Sequence, residues 1–575
     1  MNTTRWRAAL TVLAVLGTVY ALTLAPGLTW WDAGELAASA HGLGIPHPPG
    51  TPLYVAMARG WHVMLPGVPT VLATNLLSAL ATAAGCAVLA AWLATVLDDG
   101  MAGAAAGVSA GVMTSIWRNA TETEVYALIL LAVALVLWCA HRAGTTREPR
   151  WRLLTAYALA LGAALHPGTL VVAPAAVVLM WPSARPRRAR AGPDARWGRE
   201  LLGAAVVVAI ALSALLMMWV RARHDPWLNQ GNPSSMAAWQ DVVGRAQYAQ
   251  GGLWPRQSPW WAQLGMVVQY LDWQFALGAS PSAVPTWGRA MLSAAALVLI
   301  VAGARWHWRR DRRSALALAA LLAGGTLGAA LALNFRAGWS FSLGQFVDGM
   351  PREVRERDYF FSFGFAACGL WFGLGARAVA GAAVLAWPAM ARRRALVAAA
   401  VVALPLLLNW RAVSRRGSDA GLADAYAHRV LEELPLNAVF VATGDNELYP
   451  LWYLQGVERL RPDVLVLAEP LLPAQWYRDE LVRRHGFDVG GDWPGADGMR
   501  ARLLSEAGVD TRPVLESVMA SDSVVHVLWQ RGEGLVSGHA EPFSRLAAAV
   551  LLQSAVVRRI YYYSGHQIDD IMRRI

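Results

Sequence analysis

A series of apolar runs, each close to the length that crosses a bilayer as a helix and separated by short arginine-rich loops, constrains this chain more than any other feature. A hydrocarbon core takes about 20 helical residues to span. Runs of that order lie at roughly 8–25, 70–97, 101–117, 124–140, 153–166, 168–181, 201–220, 286–303, 314–333, 359–388 and 395–410. Charged residues make up 15% of the chain, against about a quarter in soluble domains, so much of it has to face something other than water. The fold class predicted is a polytopic α-helical membrane protein of about 11 spanning helices. The first run follows Arg5 and Arg7 as a signal peptide would, but it lacks a small-x-small cleavage site and further spans follow, so it reads as an anchor.

The positions of the arginines set the expected orientation. All 50 basic residues are Arg, which with the Ala and Gly richness fits a GC-rich bacterial genome. Short basic loops at 142–152, 185–199, 305–313 and 392–394 mark the cytoplasmic side. Residues 26–69, 118–123, 221–285, 334–358 and everything past 410 then fall on the opposite face. This predicts an inner (plasma) membrane protein with an extracytoplasmic C-terminal domain. Segment 359–390 is read as one span, because two would strand Arg392 to Arg394 outside. The basic charge belongs to membrane orientation, and a nucleic-acid partner is not expected. Cys86, Cys139 and Cys368 sit inside apolar runs and form no metal signature or disulfide framework.

Two domains are expected, a membrane-embedded one over 1–412 and a soluble α/β one over 413–575. Past Trp410 the texture becomes soluble. Short buried strands are predicted at 438–442, 463–468 and 523–529, with helices at 447–458, 474–485 and 541–562.

Candidate chemistry gathers in the loops of the outer face. Trp30 and Trp31 precede Asp32, and Glu35 lies three residues on, so on a helical turn both carboxylates face one direction. Acids beside tryptophans at a membrane surface are unfavourable to bury unless they bind a metal, pair with Arg or accept a proton; a solvated helix cap is the plainer reading. His47 is fixed in a His-Pro-Pro-Gly turn, from which it would donate to a phosphate oxygen or simply close the turn, and Arg59 follows as a second cationic candidate or a snorkelling side chain. Glu124 opens a span, opposite the first-loop acids or as a plain helix-start acid. His166, ahead of Pro167, is ionisable at the outer end of another span and is either functional or a satisfied interhelical residue. Arg352, Arg355 and Arg357 stand at the outer interface against the positive-inside pattern, offset by a lipid phosphate or by Glu353, Glu356 and Asp358. In the soluble part, Asp445 sits in a strand-to-helix turn, where α/β domains place ligands.

Five stretches, WWDAGELAASAHGLGIPHPPGTPLY (30–54), TEVYAL (123–128), GNPSSMAAWQDVVGRAQY (231–248), RERDYFFSFGFAACGLW (355–371) and GDNELYPLWYLQGVERLRPDV (444–464), resemble, in order, the domain-of-unknown-function family 2723. That family, also described as glycosyltransferase family 117, includes the transmembrane-protein-260 type of protein O-mannosyltransferase. The resemblance implies a glycosyltransferase fold of the C type and a polyprenyl-phosphate sugar donor. It carries Asp32, Glu35 and Glu124 over as catalytic acids, and His47, Arg355 and Arg357 as donor-phosphate residues, with His166 and Asp445 as further candidates; Arg59 joins the donor-phosphate candidates from its place after the turn alone. Two departures stand out: Gln230-Gly231-Asn232-Pro233 where Trp-Gly-Asp-Pro is the family pattern, and Glu447 where the pattern has Asp.

The implied reaction moves a sugar, mannose or another hexose, to an acceptor on a protein or glycan. A divalent metal, Mg²⁺ or Mn²⁺, would suit outer-loop carboxylates. The competing reading is a transporter or flippase of lipid-linked precursors. It calls for inverted repeats and mid-span charges, of which His166 is the main example.

Overall fold

The computed structural model describes residues 3–181, 193–248, 252–280 and 286–485, apart from 339, 342–351, 354, 419, 435, 437 and 443, together with the backbone of 528–530. It is predominantly helical. Among the described residues eight helices are long and apolar enough to cross a membrane: Thr3–Thr23, Thr70–Leu97, Val125–Thr146, Gly198–Ala222, Trp287–Arg310, Arg312–Leu333, Asp358–Ala386 and Pro388–Val413. This is a polytopic helical membrane protein.

Among the described residues eight helices reach full spanning length, against the about 11 spans expected. The run at 101–117 is split into Gly100–Gly111 and Thr114–Ala120. The runs at 153–166 and 168–181 form Pro149–Leu165, of 17 residues, and the short Pro167–Met180. Pro167 explains the break between them. A proline disfavours the helical conformation in the residue before it, and His166 is extended there, at φ −167°. Most of segment 359–390 lies in one continuous helical stretch, Asp358–Ala386, of 29 residues.

Small residues let these helices touch. Gly303 and Gly375 face one another where Trp287–Arg310 crosses Asp358–Ala386, and a Cβ on either would strike the backbone of the opposite helix. The main core lies among the helices 3–23, 70–97, 100–111, 125–146 and 358–386, with Trp92, Trp117 and Tyr20 fully buried in it.

The last long helix ends at Val413, and a helix at Leu422–Glu433 leads into a small α/β layer. Strands β1 (Ala438–Ala442), β2 (Leu465–Ala468) and β3 (Leu528–Gln530) form one sheet in the order β2-β1-β3. β1 pairs with β2 in parallel and with β3 antiparallel. Helices Asp445–Tyr453 and Gln475–His485 follow β1 and β2 as expected; the helix expected at 541–562 lies outside the described residues.

This layer is seated on the first loop. Leu28, Ala37, Ala38 and Val71 share one hydrophobic core with Phe440, Leu451, Trp452 and Leu467. Gly34 makes the close approach possible, because a Cβ there would lie 2.5 Å from the Tyr449 carbonyl oxygen. The first loop and the C-terminal layer are therefore on the same face of the bundle.

Candidate active site

Trp31 and Asp32 occupy a strained corner between two elements. Trp31 has a left-handed backbone (φ 65°), sparsely populated for a bulky residue. Its N–H donates to the Asn446 side-chain oxygen, so the C-terminal layer fixes the corner. Asp32 stands at the N-cap of helix Ala33–Gly42, yet its side chain makes no capping hydrogen bond. It reaches instead to Arg355, 3.2 Å away, and both side chains are largely buried. Burial alone would raise the Asp32 carboxyl; the charges of Arg355, His47 and Arg357 outweigh it and hold the group below the usual carboxylate range. Asp32 is an ionised acid that the helix does not use.

Glu35 points elsewhere. The expectation that both carboxylates face one direction fails, because Asp32 lines the cavity while Glu35 is fully buried and surrounded by donors. Its Oε1 accepts from the His47 backbone N–H at 2.7 Å and from the Gln230 amide, and its Oε2 meets the His47 Nδ1 at 2.5 Å. Burial lifts the Glu35 carboxyl above its ordinary range. Burial would also depress His47, but the Glu35 carboxylate outweighs it and raises the imidazole to about 9. At neutral pH the proton rests on His47. Glu35 thus orients His47 from behind, as a carboxylate orients an imidazole in many sites. Gln230, at the first departure from the family pattern, is part of that clamp.

Asp32 and His47 open on one cavity of about 570 Å³, which Trp31, His166, Arg245, Arg355, Arg357, Tyr359 and Asp445 also line. The Arg355 guanidinium lies over the Trp31 ring at 4.5 Å and the Tyr359 ring at 4.6 Å. The Tyr359 oxygen takes hydrogen bonds from Arg355 at 2.6 Å and from Arg357 at 2.8 Å. Arg357 also pairs with Glu353 at 3.0 Å. Within the loop Glu353 is thus engaged by Arg357, while Glu356 accepts from Tyr270 and Ser340, and Asp358 from Ser115. His47 stacks on Tyr449, nearly parallel at 6.4 Å between centroids. His166 packs against Tyr126 and accepts from the Gly168 N–H.

Two other candidates stay outside the cavity lining. Glu124 is the N-cap of helix Val125–Thr146, where its side chain accepts from the Val125 N–H at 3.2 Å, and burial followed by the charge of Asp32 raises its carboxyl to about 8. Arg59 sits on helix Pro52–Val63, where burial and then its charge depress His41 and His62. It joins neither Arg355 nor Arg357. Among the described residues no three His, Cys, Asp or Glu side chains gather as a metal-binding set.

Reading the sequence missed Arg245, Tyr248, Tyr359 and Tyr449. Their signal was faint: Arg245 and Tyr248 lie in the stretch 231–248, and Tyr359 directly follows the arginine cluster.

Residues 32–188 match the family model of the protein O-mannosyl-transferase TMEM260 N-terminal domain, and residues 423–486 match that of TMEM260-associated domain 2. The chain is similar to the mouse protein O-mannosyl-transferase TMEM260, 24% identical over 503 residues, covering 86% of this chain and 67% of the mouse protein. Among solved structures it is similar to ArnT from Cupriavidus metallidurans bound to undecaprenyl phosphate. That likeness has a TM-score of 0.43 at 13% identity and covers 85% of this chain and 92% of ArnT. The two family models take in Asp32, Glu35 and His47 at one end and the Asn446–Tyr449 turn at the other, so the likeness read from the motifs is matched at both ends of the site.

Proposed function

We propose that this chain is a membrane glycosyltransferase of the C type. In this reading it transfers a sugar, mannose or another hexose, from a polyprenyl-phosphate donor to a hydroxyl of a protein or glycan acceptor. The transfer takes place on the outer side of the inner membrane. The likeness to the mouse O-mannosyl-transferase supports the sugar chemistry. The observation that carries the reading is Asp32, an ionised carboxylate released from helix capping and facing a cavity it shares with arginines and a protonated histidine.

The step is a displacement at the anomeric carbon. The bond from that carbon to the donor phosphate oxygen breaks, and the electron pair leaves with the lipid phosphate. The acceptor oxygen forms the new bond, and its proton passes to Asp32 as general base. Asp32 reaches the acceptor once Arg355 shifts from it toward the departing phosphate. Arg355, Arg357 and His47, all cationic, then stabilise the charge that develops on the leaving group. Glu35 keeps His47 in place, and Glu124 holds the start of its helix.

The test is a turnover assay with purified full-length protein in lipid nanodiscs and a panel of labelled polyprenyl-phosphate sugars. Release and transfer of one sugar is expected, with none from the Asp32→Asn protein. If no donor on the panel turns over, or the variant transfers as well as the parent, the reading is wrong.

A further inference from the structure

The three arginines of the cavity differ in what already occupies them. Arg355 is tied to Asp32 and Tyr359, and Arg357 to Glu353 and Tyr359. Arg245 has no such partner among the described residues. Its Nε is buried without a hydrogen bond, and its side chain forms no ion pair with any of them. Its guanidinium lies 5.2 Å from the Tyr248 ring, on the cavity wall that also carries His166. A buried donor left unmet is unfavourable, and a ligand acceptor would relieve it.

The backbone makes the point sharper. Arg245 is the C-cap of helix Met236–Gly244 and is left-handed there, with φ 59°. Glycine or asparagine fills such a position more easily. The chain has a long cationic side chain instead, and the described residues offer it neither a hydrogen bond nor an ion pair. The same cavity is also lined by the apolar Leu333, Phe335 and Phe360, a surface suited to an isoprenoid tail beside a charged head.

We infer that Arg245 is the cavity's first contact for the phosphate of a lipid-linked donor, holding it by paired N–H donors without breaking an existing ion pair. The donor's identity rests on the glycosyl-transfer reading. Arg355 and Arg357, already engaged, come to the phosphate later, as charge develops on it.

The experiment measures binding of undecaprenyl phosphate to the full-length protein, its Arg245→Ala variant and its Arg245→Lys variant, alongside donor turnover. Arg245→Ala should weaken binding on the order of tenfold or more and raise the donor KM by a similar factor, with kcat changed less. Arg245→Lys should recover part of the loss, and the unfolding midpoint should not move. Equal binding by parent and Ala variant, or no binding by the parent, overturns the inference. So does inorganic phosphate that binds as tightly as the lipid, since the tail would then contribute nothing. If binding depends on Arg245 but no sugar turns over, the glycosyl-transfer reading fails and the phosphate contact stands. Transfer with an unchanged donor KM in the Ala variant upholds glycosyl transfer and removes Arg245 from the phosphate.

Discussion

Asp32 and Glu35 begin the same helix, three residues apart, and the protein treats them in opposite ways. Asp32 faces the cavity with one arginine partner and keeps oxygen lone pairs available to a substrate. Glu35 faces inward, where a backbone N–H, an imidazole and an amide occupy it. Identical chemistry yields an acid that can react on one side and an acid that positions on the other. What separates them is which neighbours the tertiary fold supplies. A carboxylate saturated with buried donors has no capacity left for an acceptor proton.

Substitutions on the two sides should therefore fail differently. The largest effect belongs to Asp32→Asn, which keeps the shape and removes the base; transfer should fall on the order of 10²–10⁴-fold with donor binding retained. Comparable loss of donor binding would show that Asp32 works through the fold instead. Glu35→Gln should act through His47. In the parent protein the His47 charge is complete below its ordinary value near 6.5 and is lost as pH rises through about 9. Stability and transfer that depend on that charge should decline across the same window. In Glu35→Gln the decline should move down toward neutral pH, and a pH profile identical to the parent's would contradict the clamp.

Gly34→Ala probes the contact that fixes both sides from above. Its added methyl meets the Tyr449 carbonyl, which should destabilise the seating of the C-terminal layer by about 1–3 kcal/mol. Faster limited proteolysis of residues 423–485 would report it, and unchanged cleavage would argue against a tight seat. Arg59→Ala should do least. Arg59 lies outside the cavity lining, so transfer should be unchanged and stability within about 0.5 kcal/mol; a tenfold rise in donor KM would return Arg59 to the phosphate site.

Much of this was legible in the chain. Long apolar runs mark helices because no other element satisfies its own backbone inside lipid, and the alternation of strand and helix after residue 437 followed from short apolar runs between turns. Span length was read less well where Pro167 and the break at Val112–Met113 shorten helices inside apolar stretches. Asp32, His47, His166, Arg355, Arg357 and Asp445 were singled out from loop positions and all reach one cavity. Glu124 and Arg59 were singled out by the same reasoning and do not, because a helix-start acid and an interfacial arginine look alike in sequence whether or not they face a ligand. Arg245 gave no such signal, since its significance lies in the absence of a described hydrogen-bond or ion-pair partner.

The sequence by itself determined the membrane bundle, the same-face loops and the residue types available for chemistry, because hydrophobic length and charge placement act locally along the chain. Only the tertiary structure decided which of two neighbouring acids faces the cavity, which arginines are already paired, and that a turn more than 400 residues away in the chain holds Trp31 in place. Those are questions of donors meeting acceptors across distant segments, and no local pattern encodes them.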